Sequence, residues 1–240
     1  MRKRLVNAKI NLNYKVNAFD MINLSQVKKN PQILEFIRQT EISLAALSYT
    51  DHGLRHSNLV ADRARTIANE IGLSKSEQEL AAIAAFCHDM GNFISRFLHN
   101  HFSALLFHQV FNGQFEPEEL AMVMQAISNH DKETMNFTHP IAAVAVLADK
   151  SDVHRSRVLV KVLEQIKSDI HDRVNYATKE SHLKIDKAKK RITLTLRIDT
   201  NFVPIMEYFE IFTERMVFCR KAAKYLGYDF GLVINNFKLL

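Results

Sequence analysis

From about Pro31 to Lys167 the apolar residues return at every third or fourth position, the period of amphipathic helices packed on a common core. Asn30 and Pro31 supply a cap and a first-turn proline for a helix running to about Thr40. Val60, Ala64, Ile67 and Ile71 form the inner stripe of a second helix, which Gly72 is placed to end. Ser74 and Glu77 make a capping box for a third, whose Leu80, Ile83, Ala84 and Cys87 share one face. Further helices are predicted over His99 to Asn112, Pro117 to Asn129 and Pro140 to about Ile170, jointed by Gly113 and the prolines. At Ser181 the period drops to two. His182 to Asp186 and Arg191 to Ile198 alternate around the charged, turn-like Lys187 to Lys190, which predicts a β-hairpin. A helix from about Pro204 to Leu226 and a short strand over Asp229 to Asn235 follow. The expected fold is therefore mainly α, a helical bundle followed by a small α+β C-terminal appendage with a β-hairpin. Its expected divisions are an N-terminal segment and helix (1–44), a helical domain (45–172) and the appendage (173–240).

Composition narrows the setting. The chain has 240 residues, enough to bury a substantial core, and its 47% hydrophobic and 24% charged content leaves little room for extended disorder. Cys87 and Cys219 are the only cysteines, which excludes a disulfide framework and fits a reducing compartment, so a cytoplasmic location is expected. No apolar core of a signal peptide follows Met1-Arg2-Lys3-Arg4, and no run reaches the eighteen or so apolar residues of a membrane helix. The net charge of +6 favours anionic partners, phosphorylated small molecules or nucleic acid alike. Eight of the eleven histidines fall between His52 and His139, which directs attention to metal chemistry there.

The helical pattern aims several of those groups inward. His56 shares the stripe of Val60, Ala64, Ile67 and Ile71. His88 continues the buried face of its helix, Asp89 follows at the helix end, and Asp149 lies on the face of Ile141, Ala145 and Ala148. Burying imidazoles and carboxylates is costly unless they are paired or bound to a cation. A lone histidine on an apolar face is commonly just a hydrogen-bonded core residue; three helices each delivering such a group call for a shared explanation.

The order of these residues supplies one. His56-Ser57-Asn58-Leu59-Val60, His88-Asp89-Met90-Gly91 and Ala148-Asp149-Lys150 together resemble the HD-domain superfamily of metal-dependent phosphohydrolases over roughly residues 45 to 160. The resemblance implies that His56, His88, Asp89 and Asp149 are metal ligands. Relatives with two ions carry two more histidines, and His99 and His130 fit that role, with His101 a rival to His99. Nitrogen and oxygen donors of this kind suit one or two divalent transition metal ions, Mn, Fe, Ni, Co or Zn. The implied reaction is hydrolysis of a phosphate ester or anhydride, with a nucleotide as the expected substrate, by a hydroxide generated at the metal. Asp89 is expected to orient or deprotonate the water.

Three further assignments follow from position. His52, four residues before His56, is a candidate general acid or phosphate contact if the helix already includes Asp51; otherwise it caps the helix or lies on the surface. Lys150 and Arg155 are taken as phosphate contacts from the basic stretch after Asp149. Gly91 is followed by Asn92, where relatives that hydrolyse cyclic dinucleotides carry a lysine, which turns the expectation away from that substrate. A different class of function would be a non-catalytic HD-type regulator that binds nucleotide or RNA through the basic hairpin residues Lys187 to Arg191 and Arg197; nucleic acid is the less favoured partner. The apolar Phe202-Val203, Tyr208-Phe209 and Ile211-Phe212 suit either a homodimer or the core of the appendage itself.

Overall fold

The computed structural model describes residues 22–131 and 136–240; the first 21 residues of the expected N-terminal segment lie outside them. Ten α-helices and four strands are found among the described residues. Seven helices come first: α1 (Leu24–Val27), α2 (Pro31–Ala46), α3 (Leu54–Ile71), α4 (Lys75–Cys87), α5 (His99–Phe111), α6 (Pro117–Asn129) and α7 (Pro140–Lys150). A short 3-10 turn, Arg155–Arg157, leads to α8 (Leu163–Ser168) and α9 (Ile170–Ala177). The chain then enters β1 (Thr178–Asp186) and β2 (Arg191–Ile198), followed by α10 (Ile205–Tyr225), β3 (Asp229–Ile234) and β4 (Phe237–Lys238).

The anticipated capping chemistry is present. Asn30 accepts from the amides of Gln32 and Ile33, Ser74 and Glu77 cap α4 reciprocally, and Gly72 ends α3 at φ 88°, a left-handed conformation that favours glycine. The hairpin β1–β2 is antiparallel and in the expected place; β3 joins β2 in parallel, with α10 as the crossover, and β4 returns antiparallel on β3. Two expectations changed. The helix from Pro31 continues to Ala46, and the single helix expected from Pro140 to about Ile170 is broken after Lys150. There the Ser151 hydroxyl donates to the Ala148 carbonyl and competes with the helical ladder, and β-branched Val158, Val160 and Val162 follow.

Two helices position the centre. Every residue of α4 from Leu80 to Cys87 and of α7 from Ile141 to Lys150 is buried, the mark of helices surrounded on all sides. Their many alanines let α3, α6 and each other approach closely, and α10 closes over α7. Both helices run out of apolar residues at the same end of the bundle, where α4 hands over to His88 and Asp89, α6 to His130, and α7 terminates in Asp149 and Lys150. Three helix C-termini, with their partial negative charge, thus meet at one point in the interior.

Candidate metal centre

His56, near the start of α3, and His88, just past α4, bring their Nε2 atoms to 3.3 Å of each other. The Asp149 Oδ1 atom lies 3.5 Å from the first and 3.6 Å from the second, and Asp89 Oδ2 lies 3.7 and 3.2 Å away. Asp89 turns its other oxygen to a second group. Its Oδ1 is 3.2 Å from His99 Nε2 and 3.5 Å from His130 Nε2, and those two nitrogens are 3.1 Å apart. Six buried side chains therefore form two lobes that share one carboxylate. Donor atoms about 2.1 Å from a common ion stand roughly 3.0–3.4 Å apart from one another, the spacing these pairs approach.

The imidazoles are oriented by a repeated device. In His88, His99 and His130 the Nδ1–H donates to the backbone carbonyl three residues earlier, that of Ala85, Arg96 and Ile127. His56 Nδ1 instead donates to the Asp152 carboxylate at 2.7 Å. Fixing the proton on Nδ1 leaves each Nε2 with a lone pair, and all four lone pairs point into the cluster. Such an arrangement repels itself unless a cation sits among the lone pairs or a proton replaces it. The donor set therefore fits divalent metal on the chemistry of its own hydrogen bonds.

Electrostatics agree. Burial opposes charge on His88, but the adjacent Asp89 and Asp149 carboxylates outweigh it and lift its pKa to about 10, so the site draws in positive charge. Burial lowers His130 to about 4, leaving a neutral imidazole suited to coordination. Asp89 and Asp149 are held well below the usual carboxylate range: burial works against this, and His88 beside the one and Lys150 beside the other prevail.

A family model described as HD domain matches residues 53–198, more than half of the chain and all six of these side chains. The chain belongs to the HD domain family. Over 166 residues this HD protein is 25% identical to an uncharacterized protein of Methanocaldococcus jannaschii, a match that covers 60% of this chain and 63% of that one. The chain thus spans less than two thirds of the length of that relative. No described helix is long and apolar enough to cross a membrane.

The remaining expected site residues fare differently in the HD fold. Lys150 is buried beside the cluster, 2.9 Å from Asp149 Oδ2 and 3.2 Å from Asp131 Oδ1, so its charge holds the Asp149 carboxylate in place. Arg155 is exposed and points elsewhere, donating to the Tyr176 carbonyl and lying over that ring. The guanidinium that does reach inward is Arg157, 2% exposed, which donates to the Asp51 and Asp152 carbonyls and to His52 Nε2. Both arginines lie on the 3-10 turn that follows α7, from which Arg157 is buried and Arg155 is not. His52 precedes α3, whose cap is Gly53, so it is not one helical turn below His56. Its Nδ1 donates to the Thr50 carbonyl while Nε2 accepts from Arg157, and burial with that guanidinium keeps its pKa well below the usual value. A neutral ring with both nitrogens engaged is poorly suited to donating a proton. His101 lies outside the ligand cluster, hydrogen-bonded to the Asn100 side chain.

Several supporting residues were not assigned a site role from the sequence. Asp152, wholly buried, accepts from His56 and pairs with Arg55 and Arg157. Asn92 donates to the Asp89 carbonyl and carboxylate, and accepts from Arg96. Asp131, next to His130, lies 3.7 Å from His99 Nε2. Gly91 lets α5 approach: a Cβ there would stand 2.5 Å from the Ser103 amide and 2.6 Å from the His99 carbonyl. The acidic and amide spacing after the doublet and after Asp149 was the available clue.

Proposed function

We propose that this HD protein is a metal-dependent phosphohydrolase that cleaves a phosphate ester or anhydride, a nucleotide being the substrate to test first. The observation that carries the reading is the convergence of four Nε2 lone pairs and two carboxylates in a buried cluster whose outer nitrogens are already satisfied. His56, His88, Asp89 and Asp149 would hold one ion, and His99, His130 and the second oxygen of Asp89 another. Divalent cations bound there would lower the pKa of coordinated water and neutralise phosphoryl oxygens. The protein's own part is positional. Asp152 and the three carbonyls aim the imidazoles, Lys150 keeps Asp149 turned to the cluster, and Asn92 fixes the Asp89 carboxylate so that each lobe receives one oxygen. Asp89 would also orient a water held between the lobes. No proton-donor role is given to His52, and none in phosphate contact to Arg155.

In this reading residues 45–172 form the hydrolase domain and 173–240 an appendage coupled to it by α10 on α7. Binding of RNA by the hairpin is the weaker reading, because three of its cations are matched within the chain: Lys187 with Glu70, Lys189 with Asp186 and Arg197 with Glu180. Val203, Tyr208 and Phe212 are buried in the hydrophobic core shared with the helical bundle, so they do not call for a second copy. The test is to assay the purified protein, with and without exhaustive chelation, against phosphomonoesters, cyclic nucleotides and dinucleotides. Release of phosphate or nucleotide that chelation abolishes and added Mn restores is the expected result; activity indifferent to chelation would reject the proposal.

A further inference from the structure

Three of the cations around the cluster have carboxylate partners among the described residues. Lys150 pairs with Asp149 and Asp131, Arg55 with Asp51 and Asp152, and Arg157 with Asp152. Arg96, in the turn between α4 and α5, is paired with no carboxylate among the described residues. Its neighbours are an amide, an imidazole and a phenol ring. One amino group donates to Asn92 Oδ1 at 2.8 Å and lies 3.4 and 3.5 Å from the two ring nitrogens of His99, while the guanidinium sits 5.7 Å from the centre of the Tyr49 ring. Arg96 is also half-buried where the metal ligands are fully buried, and it is joined to Asp89 through a single residue, Asn92.

That placement has an energetic consequence. An unneutralised guanidinium against an imidazole that binds a divalent cation raises the energy of the loaded site by charge repulsion. An anion lying between them turns the repulsion into two attractions. The Nε atom and second amino group of Arg96 have no hydrogen-bond partner among the described residues, and that edge of the fork is the one that matches two oxygens of a phosphate. Asn92 and Tyr49 hold the side chain in place, so little freedom is left to lose on binding.

Resting on the phosphohydrolase reading above, we infer that Arg96 is the residue that grips the substrate's phosphoryl group, at the rim of the lobe formed by His99 and His130. The test uses the full chain loaded with Mn and titrates inorganic phosphate calorimetrically into the wild type, Arg96→Gln and Arg96→Lys, with metal content measured on each. The glutamine variant should keep its ions and bind phosphate about tenfold more weakly or worse, while lysine, a point charge without the fork, recovers part of the loss. Unchanged phosphate affinity in an Arg96→Gln protein that retains its ions would overturn the assignment and leave the hydrolase reading standing. Loss of ions from that variant would also overturn it, by showing that Arg96 serves the metal site. A wild type that takes up no metal would sink both.

Discussion

The two lobes of the cluster share Asp89 yet are built to different standards. The first is backed by charge: His56 leans on Asp152, which is wholly buried and held by Arg55 and Arg157, and Asp149 is clamped by Lys150. The second is backed by neutral carbonyls, those of Arg96 and Ile127, and its flanking Asp131 keeps 36% of its side chain exposed. His99 moreover opens α5, where a helix's partial positive charge disfavours a cation, whereas His88, Asp149 and the second lobe's own His130 sit at C-terminal ends. If both lobes hold ions as proposed, the contrast implies that the first holds its ion more tightly than the second.

The largest effect should come from the residue the lobes have in common. Asp89→Ala is expected to empty both and reduce hydrolysis to background, read by elemental analysis alongside the assay; retention of two ions would break the shared-ligand picture. His99→Ala separates the lobes: one ion per chain should remain and the melting temperature of the metal-free protein should scarcely move, while activity falls steeply. Asp152→Asn leaves every ligand in place but removes the charge behind His56, and should weaken the tighter ion about 10–100-fold in competition with a chelator, with little change at the rim. The smallest effect concerns protons. With the His88 pKa raised to about 10, the metal-free protein holds a proton there at pH 8 that an incoming ion must expel. Affinity for the first ion should therefore climb with pH up to about 10, and Mn loading at pH 8 should release about one proton, measurable in weak buffer.

The contrast between the lobes was only half legible beforehand. His56 and Asp149 could be placed because each sits on the inner stripe of a long helix, where the 3.6-residue period fixes direction. His130 continues the stripe of Leu120, Val123 and Ile127, but its role, like that of His99 at the opening of a helix, came from the resemblance. The supporting shell was less accessible still. Arg157 reaches the site only because the helix stops at Lys150 and a 3-10 turn follows, a break decided by Ser151 and tertiary packing. His52 depended on where α3 begins, and its start at Leu54 removed the assumed one-turn relation to His56. The hairpin was readable from alternation, while the parallel pairing of β3 with β2 leaves no trace in the period of either strand.

Anomalous diffraction from crystals of the Mn-loaded protein would locate the ions. Two peaks per chain are expected, a stronger one bounded by His56, His88 and Asp149 and a weaker one between His99 and His130, with Asp89 touching both. Peaks confined to the surface, or none within reach of Asp89, would contradict that arrangement.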